Sequence, residues 1–164
     1  LNSKQIVVSA ARVHNTIFMH HILLILHLLA ATVWIGGHLI LSIGFLPKAL
    51  KEKNPEIITN FEKSYEKIGL PALLILIVTG VFLSYRYGIA ISNWFSFENG
   101  IETVVSVKLI LLLLTLALAI HARIFIIPKL SPKSLPFMAA HIILITLVGL
   151  TMMVVGTFVR FGGF

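Results

Sequence analysis

Four long apolar stretches, at about 17–47, 68–87, 104–127 and 136–158, decide what this chain can become. Crossing a hydrocarbon layer roughly 30 Å thick takes about 20 helical residues, and each stretch reaches that length. No water is available inside the layer, so a spanning segment must satisfy its backbone N–H and C=O groups within itself. The expected fold class is therefore all-α: an integral membrane bundle of four transmembrane helices, antiparallel because the connections are short. One transmembrane domain over 1–164 is expected, with no room for a separate soluble domain. The first stretch would measure about 46 Å if wholly helical, more than the layer is thick, so it tilts or projects.

Composition agrees with a lipid solvent. Hydrophobic residues make up 58% of the 164, charged residues only 12%, and mean hydropathy is +1.01. Soluble domains run near half apolar and about a quarter charged. In a soluble protein the net charge of +7 would suggest nucleic acid. Here the basic residues flank apolar stretches, where they set orientation, so the expected partner is the lipid bilayer and no nucleic acid. Lys48, Lys51, Lys53, Lys63, Lys67, Lys129 and Lys133, with Arg123 nearby, fall on one side, called side B. Lys4, Arg12, Arg86 and Arg160 fall on the side of the N-terminus, side A, with Lys108 just inside the third stretch. The positive-inside rule places side B in the cytoplasm and both termini outside. The chain opens Leu1-Asn2-Ser3-Lys4 rather than on Met, and its numbering is expected to begin after an omitted or processed segment.

Prolines and glycines punctuate the stretches. Pro71 stands in a first helical turn, where its missing N–H costs little. Tyr87-Gly88 breaks the second stretch ahead of an aromatic interfacial loop with Trp94, Phe95 and Phe97, and Pro128, Pro132 and Pro136 confine the third connection to a stiff turn. The polar connection from Lys48 to Glu66 reads as a solvated helical approach to the second span.

Ionisable groups at membrane depth are costly and mark functional pathways. His20, His27 and His38 lie on the first helix, His121 on the third and His141 on the fourth. The steps of seven and eleven residues between the first three return to within about 20° of one face, which also carries Trp34. Gly36-Gly37 follows, and would let a neighbouring helix or a flat ligand approach the backbone. Measured from the middle of each span, His38, His121 and His141 come out about 8–10 Å toward side B, while His27 and Lys108 come out about 7–11 Å toward side A. The side-B trio has the chemistry to bind one copper or zinc ion, or to give two axial ligands to a haem. His27 is a further metal or haem ligand candidate, with Lys108 beside it as a cation or anion contact. Trp34 and Arg123 are candidates for supporting contacts. His14, His20 and His21 near side A form a candidate cluster for capturing an external metal. Each single histidine can equally serve only to hydrogen-bond between helices. Cysteine is absent, which removes thiolate sites. No hydrolase triad, phosphate loop or deep carboxylate pair appears.

The run His27-Leu28-Leu29-Ala30-Ala31-Thr32-Val33-Trp34-Ile35-Gly36-Gly37 resembles the first-helix signature of the copper-resistance protein D (CopD) family. The resemblance continues through Gly69-Leu70-Pro71-Ala72, Thr79-Gly80, Lys108-Leu109 and His121-Ala122-Arg123. It implies a copper-binding membrane protein for copper transport or resistance, in a bacterial or archaeal cytoplasmic (inner) membrane, with a periplasmic metal donor or redox partner. The His27 to Trp34 spacing and the Lys108-Leu109 pair are also similar to HemJ-type four-helix proteins. That similarity implies haem b at His27 and electron transfer or quinol or porphyrinogen oxidation, although Gly37-His38 departs from the HemJ pattern. Copper and haem b both remain open at this point, as do enzyme activity, a homo-oligomer, and a purely structural role for the polar groups.

Overall fold

The computed structural model describes residues 3–164, with the side chains at 3, 4, 6, 7, 10 and 11 outside the described part. Leu1, Asn2 and the Lys4 charge assigned to side A therefore lie outside the described residues. Among the described residues five α-helices appear: α1 Ser3–Ile40, α2 Leu46–Glu52, α3 Glu56–Arg86, α4 Gly100–His121 and α5 Leu135–Thr157. No strand occurs among the described residues. Four segments are long and apolar enough to cross a membrane: Arg12–Glu52, Glu56–Arg86, Gly100–Lys129 and Leu135–Phe161. Only 17–33% of their most apolar windows is buried within the protein, so most of their apolar surface is left for lipid.

Helix boundaries follow local chemistry. Asn99 caps α4, its side chain accepting the Glu102 N–H at 2.9 Å. The Glu102 carboxylate turns back to the loop and accepts from Asn93 Nδ2 at 3.0 Å and Ser96 Oγ at 2.6 Å. At the end of α3, Gly88 adopts φ +79°, a left-handed conformation that glycine takes without strain. Two helices run further than their apolar stretches. α1 starts at Ser3 rather than near 17, and α3 starts at Glu56, absorbing much of the polar connection into one continuous helix.

Two π-helical turns interrupt the spans on side B, Leu41–Phe45 after α1 and Ala122–Ile126 after α4. Each ends two residues before a proline, Pro47 and Pro128. A proline donates no N–H to the carbonyl four residues back, and its ring presses on that carbonyl. Widening the preceding turn relieves the crowding. A hydroxyl of α5 meets one of the first wide turn's own. Ser42 Oγ and Thr146 Oγ1 lie 2.6 Å apart, and Thr146 Oγ1 also reaches the His38 carbonyl at 3.3 Å. Here too sits the main core, with Leu41, Leu46, Ala49, Ile58, Ala122, Ile126, Leu135, Met138 and Ile142 all nearly inaccessible.

α1 packs along α3, α4 along α5, and α1 also touches α5. The α1–α3 seam is keyed by Tyr65, whose ring lies against Gly37 of α1 and Gly69 of its own helix. A Cβ at Gly37 would overlap the ring, whereas nothing lies within 4 Å of one built at Gly36. Gly37→Leu is therefore expected to destabilise the protein by roughly 1–3 kcal/mol through overpacking. Thermal unfolding in detergent should show that loss for Gly37→Leu and little change for Gly36→Ala.

Candidate functional site

On side B, His38 and His141 both face a cleft of about 140 Å³ between the helices. Its walls come from Trp34 and His38 of α1, Glu62, Tyr65 and Gly69 of α3, Ala119 of α4, Ala122 and Arg123 of the second π turn, and Met138 and His141 of α5. Both π turns contribute, since Leu41 also lines it.

Carbonyl oxygens only accept, so they assign the imidazole protons. His38 Nδ1–H donates to the Trp34 carbonyl at 2.9 Å, and its ring packs on the Trp34 indole with centroids 4.5 Å apart. That carbonyl also accepts the Tyr65 hydroxyl at 2.9 Å. His141 Nδ1–H donates to the Phe137 carbonyl at 3.2 Å, which leaves its Nε2 as an acceptor. Into that lone pair His121 donates from Nδ1 at 3.0 Å, with the two rings tilted by only 16° and centroids 5.0 Å apart. The lone pairs left without a partner are therefore Nε2 of His38 and Nε2 of His121.

The side-B trio is thus arranged as a pair and a single. His121 is joined to His141 and does not line the cleft, packing instead near Phe125 and Phe137. Among the described residues no three His, Asp or Glu side chains are grouped so as to hold one metal ion. Arg123 pairs with Glu66 at 2.8 Å, with the two side chains 58% and 33% exposed. A pair that open is worth less than about 1 kcal/mol.

Toward side A, His27 Nδ1–H donates to Thr79 Oγ1 at 2.8 Å, while the Thr79 hydroxyl donates to the Ile75 carbonyl at 2.6 Å. Gly80 leaves room for the imidazole, because a Cβ there would lie 3.4 Å from His27 Cε1. Lys108 is near enough to His27 to act on it electrostatically. Its ammonium lies against Gly156, 3.3 Å from where a Cβ would stand. Among the described residues Lys108 makes no hydrogen bond or ion pair. The remaining candidates lie at the end of the bundle: His14 is exposed, His20 packs edge-on to Tyr87 with centroids 5.6 Å apart, and His21 donates from Nδ1 to the Ile17 carbonyl at 2.8 Å.

Sequence reasoning passed over Tyr65, Thr79, Glu62 and Glu66. Three of these sit in the segment read as a solvated approach. The Tyr65–Gly69 spacing, one helical turn with the glycine on the same face, was the available signal.

Apolar helices enclosing imidazoles define a multi-pass membrane protein with histidines between its spans. Residues 60–159 match the family model of copper resistance protein D. The match covers more than half of the chain, and the protein belongs to that family, which connects it with copper resistance. It takes in Glu62, Tyr65, Lys108, His121 and His141 but not the first helix with His27 and His38. No curated protein and no solved structure matches the chain.

The hydrogen bonds fix one tautomer for His27, His38 and His141. Imidazole ¹⁵N NMR on the labelled protein is expected to show protonated Nδ1 at all three, and Thr79→Val should abolish the Nδ1–H signature at His27 alone.

Proposed function

We propose that the protein binds copper within the membrane through the imidazoles of the side-B cleft, and that this serves copper transport or resistance. The observation that carries the reading is the way His38 and His141 face one cleft with Nδ1 of each committed to a backbone carbonyl. A histidine that ligates a metal through one nitrogen commonly donates its other N–H to a carbonyl or carboxylate, which fixes the ring and raises its basicity. His38 then offers Nε2 directly. His141 offers its Nε2 once His121 lets go, and the partner ring remains close by as a further donor. Imidazole suits copper, and the absence of thiolates is compatible with it. The Trp34 indole beside His38 covers one face of the site.

His27 is the corresponding group toward side A, with Thr79 taking the place of the carbonyl and Lys108 setting the local charge. Under the positive-inside reading, side B faces the cytoplasm and the cleft lies on that half of the membrane. Nothing comparable favours haem b.

Anaerobic titration of the purified protein with copper(I) against a chromogenic chelator tests the proposal. Wild type should compete for the ion, and both His38→Ala and His141→Ala should weaken binding by at least about tenfold. His14→Ala should leave it unchanged. Affinity and stoichiometry unaltered in both cleft variants would overturn the assignment.

A further inference from the structure

At the opposite end of the bundle, α1 and the last turn of α3 enclose an open groove of about 540 Å³. It is lined by Thr16, Ile17, His20, His21, Tyr85 and Arg86. Arg86 donates one N–H across the groove to the Thr16 carbonyl, tying α3 to α1. A guanidinium has five N–H donors in a planar fork, so most of them stay open. His21 spends Nδ1 on the Ile17 carbonyl and keeps Nε2 free. The His20 ring stands 6.1 Å from that of His21 and edge-on to Tyr87. None of the lining residues is Asp or Glu. The carbonyls of Leu83, Ser84 and Tyr85 in the last turn of α3 are already answered, since Tyr87 N–H donates to Leu83 and Ser84, Gly88 N–H to Tyr85 and Ile89 N–H to Ser84.

That chemistry opposes a metal cation. Binding one at His20 and His21 would place a second positive charge beside the Arg86 guanidinium with no carboxylate among the groove walls to compensate. An oxyanion gains from the open Arg86 N–H groups, and a guanidinium fork matches a phosphate in particular. Depth supplies the source. The apolar segment of α3 ends at Arg86, so the groove stands where a bilayer places its phosphates. Ile17 is a groove wall and Phe18 is 56% exposed beside it, which offers apolar surface to an acyl chain.

We propose that this groove is a binding site for the phosphate of an anionic phospholipid headgroup, held by Arg86 with His20. Its lipid would seat the protein at a fixed height and buttress the α1–α3 contact at the end remote from the copper cleft. His20 adds a ring N–H to the Arg86 fork, while His21, whose Nδ1–H is spent on the Ile17 carbonyl, bounds the groove.

Native mass spectrometry of the full chain, released from micelles holding equal amounts of phosphatidylglycerol and phosphatidylcholine, reads this out. Wild type should retain phosphatidylglycerol in preference. Arg86→Gln should lose that preference by roughly tenfold, while Arg86→Lys should keep part of it. The double variant His20→Gln with His21→Gln should weaken it with the Arg86–Thr16 bond intact, which separates headgroup binding from folding. Equal retention of the two lipids by wild type, or unchanged retention in Arg86→Gln, would overturn the site. Inorganic phosphate bound by wild type and lost in Arg86→Gln, with no preference between the two lipids, would assign the groove to a free oxyanion and overturn the lipid assignment. Zinc or copper bound by wild type and lost in the double histidine variant would restore the metal reading.

Discussion

A carbonyl that loses its helical partner inside hydrocarbon must be answered by the protein, because no water will do it. Pro47 and Pro128 create that need on side B, where the main core and the cleft also lie. Each is preceded by a widened turn, and the Ser42 and Thr146 hydroxyls gather at the first of them. The main buried core includes residues of both turns, with Leu41, Ala122 and Ile126 among its members. His38 and His121 stand at or just before these turns, and residues of both turns line the cleft. Irregular backbone at membrane depth and imidazoles at membrane depth therefore occur in the same place. One sets the shape of the cleft and the other its chemistry.

The imidazoles differ in how they are held. His38 and His141 are tied to the carbonyl one turn earlier in their own helices, so their orientation depends on local helix geometry. His27 is tied to Thr79 of another helix and depends on α1 and α3 keeping their distance. All three end with hydrogen on Nδ1. An imidazole with both nitrogens unpaired would be expensive in apolar surroundings. One committed nitrogen removes part of that cost and leaves the other as a donor of electrons.

Much of this was legible in the sequence, and the parts that were not share a cause. The four spans follow from hydropathy, and the breaks at Tyr87-Gly88 and Pro128 from residue chemistry. Depth arithmetic along each helix grouped His38, His121 and His141, and the structure brings two of them together and puts His38 on the same cleft as His141. Depth does not fix azimuth, however, so the pairing of His121 with His141 and its absence from the cleft wall were not readable. The segment from Glu56 to Lys67 looks solvated because most of it is polar. Tyr65 turns inward from it, and only the α1–α3 packing shows where it goes. A π turn has no hydropathy signature, and the following prolines hint at it only once the turn has been seen. The His27–Thr79 bond likewise joins residues fifty-two apart.

The ring and the hydroxyl of Tyr65 act on different things. The ring fills the space left by Gly37 and Gly69, while the hydroxyl shares the Trp34 carbonyl with His38 Nδ1. A sideways slip of α3 along α1 must carry the hydroxyl with it, and so alters the electron density available at the oxygen that orients His38. The register of α3 against α1 and the orientation of His38 thus meet at one carbonyl oxygen.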